Sequence, residues 1–421
     1  MTVKIACFFR CAASQLWQGC RAADKYTMTT KPLCWVPYYS VELSHKNTRP
    51  CCKFDSNIQG PYSKFEDFFS ADSDKWREDS FMGDKLLDQC KACKVPQNVY
   101  SHEKNNRKRY TLDGWTAPTK TELRKLIIGM DNICASSCIQ CGPHFSTTID
   151  KLARDSGQHK PILGEDYQFP GVQQVDLTQL DGRLADLEIL QLWGGEPLFS
   201  PNLLTLLDMV RAQSPKLRTV GICTGLRKIK ESHVAALASL NVEVIVNVSI
   251  DGPLDINHWI RGITPSEFTS AFDLLVKYKP NIKIVGFQNT IGSYNVFSLP
   301  EYVDTINTIW LENNLNKQEI TNSSPYYKTN PYLTSGIILH PEVLHPKQMP
   351  DTIKQQIDLK LKKALITAPN WAKEMLRTGI FSLSQPSNLP WTSALERVNA
   401  YPKWRDGSSN WQDWHDRYMP K

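Results

Sequence analysis

Apolar residues in the second half of the chain fall into short runs separated by stretches with a helical period. Runs at 125–130, 187–192, 217–223, 242–250, 281–288 and 319–322 predict strands. Between them, positions near 201–213, 230–240, 265–279 and 299–313 predict helices. The strand runs lack strict alternation, as expected where a strand is covered on both faces. That pattern predicts an α/β fold of parallel β–α units. Six units fit an open, partial (β/α)6 TIM-like barrel better than a closed barrel of eight. Past residue 323 the chain turns rich in Pro and Tyr, then helical over 350–377. It ends in a segment carrying Trp391, Trp404, Trp411 and Trp414, which reads as a tail docked on the barrel.

The first third is patterned differently. Residues 36–43 alternate as a strand, His45-Lys46-Asn47-Thr48 reads as a turn, and 49–54 as the returning strand. Helical patterning follows at 65–69 and 80–87, ahead of Cys90-Lys91-Ala92-Cys93. A module this small has a marginal core, and a metal would help to hold it. Residues 102–109 are polar and basic and read as a solvated linker. The first residues carry no period and no motif. The expected organisation is therefore a disordered or spurious extension over 1–28, a Cys-rich module over 29–100, a linker over 101–122, the barrel over 123–325, and a helical, Trp-rich extension over 326–421.

Composition narrows the classes. With 421 residues, 41% of them hydrophobic, the chain has material for two or three domains and is not globally disordered. No run approaches the roughly 18 apolar residues of a membrane span. A net charge of +6 over this length does not point to nucleic acid. The 12 cysteines are the anomaly, because all but Cys223 lie within the first 141 residues. Disulfides of a large secreted protein would spread through its domains, whereas short spacings suit metal ligands. Arg10 ends the first apolar stretch too early for an export signal, so a reducing cytoplasm is expected. Cys7, Cys11 and Cys20 are bystanders in this reading.

Cys134-Ala-Ser-Ser-Cys138-Ile-Gln-Cys141 directly follows the first barrel strand. Three thiolates at spacings of four and three can hold three corners of a [4Fe–4S] cube and leave one iron open. Zinc remains an alternative for the triplet alone. Trp193-Gly194-Gly195-Glu196-Pro197 ends the second strand, where paired glycines let backbone approach a small ligand and Glu196 can receive an ammonium group. Ser249-Ile-Asp251-Gly252-Pro253 ends the fourth strand, followed by Arg261-Gly262, a hydroxyl and a guanidinium suited to a carboxylate. All three motifs fall on the C-terminal rim of the barrel.

In this order and at these positions the motifs resemble those of the radical S-adenosylmethionine superfamily, over roughly 124–325. The resemblance implies an enzyme in which Cys134, Cys138 and Cys141 hold a [4Fe–4S] cluster whose open iron is chelated by S-adenosylmethionine. Reductive cleavage of the sulfonium then gives a 5′-deoxyadenosyl radical that abstracts hydrogen from a substrate. Gly194, Gly195, Glu196 and Pro197 would contact the methionine amino group, and Ser249, Asp251 and Arg261 would lie near its carboxylate or the ribose. Two positions depart from the family pattern. Gln140 stands where an aromatic residue often packs near adenine, and Cys223-Thr224-Gly225 stands where Thr-Asn-Gly is common. Cys223 reads either as a buried structural thiol or as a hydrogen-atom donor to a substrate radical.

Cys34, Cys51 or Cys52, Cys90 and Cys93 resemble the twitch module, related to the SPASM domain of peptide-modifying members. That implies an auxiliary iron–sulfur cluster, with zinc still open and with Cys51 preferred over Cys52. The resemblance points to a peptide or protein side chain as substrate. A nucleotide, carbohydrate or small metabolite is the alternative, and a zinc-stabilised binding protein a third reading. A flavodoxin- or ferredoxin-type protein is the expected electron donor.

Overall fold

The computed structural model describes residues 36–44, 48–50, 62, 64–81, 121–157, 160–164, 166–315, 333–338, 341–406 and 410–419. The chain divides into two compact units, Met1–Glu42 with Asn47–Leu123, and Leu43–Lys46 with Arg124–Lys421. Cys7, Cys11, Cys20, Cys34, Cys51, Cys52, Cys90 and Cys93 lie outside the described residues.

The hairpin expected near the amino terminus differs at its start. Residues 36–39 form a helical turn, α1 (Val36–Tyr39), before strand β1 (Ser40–Ser44). Pro37 explains the difference, because its fixed φ and missing N–H suit the first turn of a helix. The return strand β2 (Thr48–Arg49) begins one residue earlier than the pattern predicts, and Arg49 pairs with Glu42 at 2.6 Å. A 3-10 turn (Phe65–Phe69) then leads into α2 (Ala71–Phe81). This helix precedes the one expected at 80–87, of which 82–87 lie outside the described residues. Its sequence is polar on nearly every side, so no apolar stripe announces it. Arg77 is fully buried there, stacked 4.6 Å from the Phe68 ring and donating to Phe68 O at 2.6 Å and Tyr62 Oη at 2.8 Å.

The second unit is a partial (β/α)6 barrel. Strands β3 (Lys125–Gly129), β4 (Ile189–Trp193), β5 (Thr219–Thr224), β6 (Glu243–Ser249), β7 (Ile282–Ile291) and β8 (Leu333–Ile337) lie side by side in sequence order, every neighbouring pair parallel. Parallel strands that advance without reversal, each joined by a right-handed crossover, put all their helices on one side. Those crossovers contain α3 (Thr147–Ser156), α4 (Lys160–Leu163), α5 (Leu203–Gln213), α6 (Glu231–Ala238), α7 (Leu254–Arg261), α8 (Pro265–Lys277) and α9 (Leu299–Glu312). The sixth parallel strand described is Leu333–Ile337, a stretch the apolar pattern did not mark, while the run at 319–322 lies outside the described residues.

Register divides the sheet into two faces. Leu192, Ile222, Val246 and Ile284 form one fully apolar row, and Val248 with Phe287 continues that face, Phe287 stacking on Phe272 of α8. The opposite face carries Gln191, Trp193, Cys223, Asn247, Ser249 and Gln288, all only half-buried. Polar, partly accessible side chains on the inner face make a lumen a ligand can enter. At its mouth β7 holds one extra residue, so that the register slips between Val246 and Asn247 and Asn247 faces Gly286. A bulge of this kind re-aims the strand end near the rim.

The helix expected over 350–377 is two helices, α10 (Asp351–Thr367) and α11 (Asn370–Ser384). Pro369 forces Ala368 out of the helical region (ψ 143°) and so separates them. Then come α12 (Trp391–Asp406) and α13 (Trp411–Tyr418). Trp411 is 1% exposed, donates its indole N–H to Ser293 O at 2.8 Å, and meets Phe297 and Trp391 edge-on. Trp414 lies against Trp259 of α7, with ring centroids 5.9 Å apart. Trp411→Ala should therefore destabilise the barrel by about 3–5 kcal/mol, the usual cost of deleting a buried aromatic side chain. Replacing exposed Leu389 should change stability by under about 0.5 kcal/mol. Thermal melts of the two variants check the contrast.

Candidate active site

The loops leaving the C-terminal ends of β3 to β7 share one rim, the edge where parallel β–α sheets bind ligands. The loop after β3 carries the three cysteines and is fixed at many points. Buried Asp131 accepts from Ile133 N at 2.9 Å and from the Ser200 hydroxyl. Asn132 donates to Gly171 O at 2.7 Å and accepts from Gln173 N at 2.9 Å. Ser146 caps α3 by accepting from Ile149 N at 3.3 Å, and its hydroxyl donates to Ser136 O at 2.6 Å. Ser137 N and Ile139 N donate to Arg261 O and Ile260 O, each at 3.0 Å. The last turn of a helix has carbonyls without helical partners, so the cysteine loop satisfies the end of α7 while α7 fixes the loop.

Cys134 and Cys138 are buried and Cys141 is half-buried, all three as free thiols. A hydrogen bond from Cys141 lowers the pKa of Cys138 against the effect of burial, and nearby Arg261 lowers it further. Arg261 Nη1 stands 3.7 Å from Cys138 Sγ. Donating that bond raises Cys141, while burial, then the charge of Cys138, pushes Cys134 up to about 12.

Asp251 joins the rim together. Its Oδ2 meets Arg261 Nε at 2.7 Å and accepts from Gln140 Nε2 at 2.7 Å, and its Oδ1 accepts from Thr290 N at 2.9 Å. Burial acts to lower the Arg261 pKa, but the Asp251 carboxylate outweighs it and the guanidinium pKa is raised. Ser249 stands half-buried on the inner face two residues earlier.

The glycine turn after β4 is pressed against the cysteine loop. Gly194 (φ 84°) and Gly195 (φ 52°) adopt left-handed backbone, and a Cβ on Gly195 would lie 2.6 Å from Ile133 O. Glu196 N donates to that same carbonyl at 2.9 Å. The Glu196 carboxylate turns inward, accepting from Thr224 Oγ1 at 2.7 Å and Gly225 N at 2.8 Å. Burial raises its pKa to about 7 despite these bonds. Pro197 is buried behind it. Cys223, on the inner face of β5, is pushed up to about 11 by burial and then by Glu196, and so is held as a thiol.

The residue pattern gave no sign of three arginines that the fold brings here. Arg397 Nη2, from α12, donates to Cys141 O at 2.7 Å, and Arg405 Nη1 donates to Ser137 Oγ at 3.2 Å. Arg227 follows β5 on a strained loop, Leu226 having φ 66° and Lys228 φ 55°. Its Nε and Nη1 are buried without hydrogen-bond partners, and it lies within the field of Cys134 and Cys138. Two buried thiols and a half-buried one, beside a guanidinium with two unpartnered nitrogens, form a donor set that fits an anionic iron–sulfur cluster. Among the described residues no three His, Cys, Asp or Glu side chains are gathered to hold a single metal ion.

Two outcomes follow from this geometry. Gly195→Ala should destabilise the fold by about 1–3 kcal/mol through positive φ and backbone overlap. Gly225→Ala, whose Cβ would meet nothing nearer than 3.6 Å, should leave the melting temperature nearly unchanged. Separately, a carboxyl whose folded pKa exceeds its unfolded value stabilises the fold below the unfolded pKa. That stability is lost as pH rises through the folded value. Glu196 should therefore cost the apoprotein up to about 3 kcal/mol between pH 4.5 and pH 7. Glu196→Gln should flatten that fall, as read by denaturant midpoints across the range.

No family model matches the chain, and no curated protein does. Among solved structures, native anSMEcpe with bound AdoMet is similar at 17% identity and a TM-score of 0.35, over 52% of this chain and 53% of that one. Streptococcus suis SuiB bound to S-adenosylmethionine is similar at 15% identity and a TM-score of 0.29, over 54% of this chain and 53% of that one. The same protein bound to precursor peptide SuiA gives 14% identity and a TM-score of 0.29, over 55% and 53%. The chain spans about half the length of the structures it resembles.

Proposed function

We propose that the protein is a radical S-adenosylmethionine enzyme acting on a peptide or protein side chain. The observation that carries this reading is the convergence of Cys134, Cys138 and Cys141 with the Gly194–Gly195 turn and Arg261 on one barrel rim. Cys134, Cys138 and Cys141 would hold a [4Fe–4S] cluster, which when bound would supply the electron that cleaves the sulfonium of S-adenosylmethionine. Arg261 and Arg227 place cationic charge beside these cysteines.

The turn Gly194 to Pro197 offers backbone carbonyls to the methionine ammonium group. The Glu196 side chain is committed to Thr224 and Gly225, so its part is to orient the turn. Arg261 is likewise engaged by Asp251, which leaves Ser249 as the free rim hydroxyl for a carboxylate or ribose. The half-buried row Gln191, Cys223, Asn247 and Gln288 faces the lumen, where a substrate side chain would enter. Cys223, protonated and half-accessible, can give a hydrogen atom there. The peptide class rests on the resemblance of Cys34, Cys51 (or Cys52), Cys90 and Cys93 to an auxiliary-cluster module. A flavodoxin- or ferredoxin-type donor in the cytoplasm completes the reading.

Anaerobically reconstituted protein should bind about four irons per cluster, about eight if both sites fill. It should form 5′-deoxyadenosine from S-adenosylmethionine under a low-potential reductant. Replacing Cys134, Cys138 and Cys141 together by Ala should abolish that product. Zinc uptake without cleavage, or product from the triple variant, overturns the reading.

A further inference from the structure

We propose that helix α12 is a working wall of the cluster site, with Arg397 and Arg405 setting the charge under which the cluster takes its electron. The proposal rests on the radical S-adenosylmethionine reading. The two arginines stand about two turns apart and reach the cysteine loop at both ends. Arg397 Nη2 holds Cys141 O at 2.7 Å, with its guanidinium over the Tyr401 ring at 4.6 Å. Arg405 Nη1 holds Ser137 Oγ at 3.2 Å and Trp259 O at 3.3 Å.

Their charges are poorly balanced by the chain itself. Arg397 is buried, and among the described residues it makes no ion pair; its Nε has no hydrogen-bond partner. Arg405 pairs with Asp406 at 2.8 Å, on the side away from its bond to the loop. Arg227 Nη1 joins this group: a Cβ on Gly262 would lie 2.6 Å from Ser137 Oγ, 2.7 Å from Arg227 Nη1 and 3.0 Å from Arg405 Nη1. A buried cation without an ion-pair partner, as Arg397 is among the described residues, is costly, and nothing about docking α12 demands it. Ala394, Val398 and Tyr401 already bury its apolar face, and Trp391 packs on Trp411. The missing negative charge is that of the thiolates and the cluster. Cations and N–H donors around an iron–sulfur centre favour its reduced form, because they compensate the added electron.

The test uses full-length, anaerobically reconstituted holoprotein and the variants Arg397→Gln, Arg405→Gln and the corresponding lysines. The reduction equilibrium is read by spectroscopic redox titration without S-adenosylmethionine, and iron release by a chelator. Each glutamine variant should shift the equilibrium about tenfold toward the oxidised cluster, about 59 mV for one electron. Iron should leave several-fold faster. Lysine at 405 should restore most of the shift, and lysine at 397 less, because the planar fork of arginine holds both a carbonyl and a ring. Glutamine variants that melt earlier yet keep the wild-type equilibrium would make the arginines merely structural and overturn the proposal. If Arg397→Gln does not fold, Arg405→Gln alone decides by the same shift. Wild-type protein without any cluster signal overturns the enzyme reading instead, so the two failures are distinguishable.

Discussion

The buried ion pair between Asp251 and Arg261 is the constraint on which the rim depends. Burying two opposite charges gains little unless the remaining lone pairs and protons are also satisfied. Here the carboxylate is completed by Gln140 and Thr290 N, and Arg261 reaches Cys138 with Nη1. Four segments distant in sequence meet at one carboxylate: the cysteine loop, the end of β6, the last turn of α7 and the end of β7. Because the carbonyls ending α7 accept from Ser137 and Ile139, any shift of Arg261 moves Cys138 as well. The position of the thiols is thus set by an ion pair more than a hundred residues away.

Charge at this rim is arranged against the ordinary preference of a folded chain. Burial raises Glu196 to about 7 and pushes the Cys134 and Cys223 thiols up. Arg227 and Arg397 keep buried nitrogens without partners. Each feature alone would count as a defect, since buried polar groups are nearly always paired. Together they describe a place short of negative charge, and the strained backbone at Leu226 and Lys228 fits a segment shaped for function.

Much of the barrel was legible in the sequence for a simple reason. Strands covered on both faces are continuous apolar runs, and β3 to β7 stand within a few residues of where those runs predict them. The cysteine triplet, the glycine turn and the strand end at Asp251 were legible because each needs particular residue types at short spacing. What could not be read joins residues far apart. Arg397 and Arg405 look like solvent-facing charges on a helix, and only the fold brings them across more than 250 positions to the cysteine loop. Strand β8 was missed because its five residues, Leu-Thr-Ser-Gly-Ile, are too polar to announce themselves. The turn at 36–39 was missed because alternation outweighed the helix-start signal of Pro37.

Gln140 and the Cys223-Thr224-Gly225 strand end each engage one of the two buried carboxylates of the rim. Gln140 donates to Asp251 Oδ2 at 2.7 Å, a bond a Phe ring could not make, and leaves Oε1 buried and unpartnered. Likewise Thr224, in the Cys-Thr-Gly strand end, supplies the hydroxyl that Glu196 accepts, and Gly225 supplies the adjoining N–H. Hydrogen bonding through Gln140 holds one side of the site, and the strand end at Thr224 and Gly225 holds the glycine turn on the other. Both devices answer the same need, because an unmet buried carboxylate is costly. The sequence differences follow from one local rule, that Asp251 and Glu196 must each be fully engaged before the rim can hold an unbalanced charge.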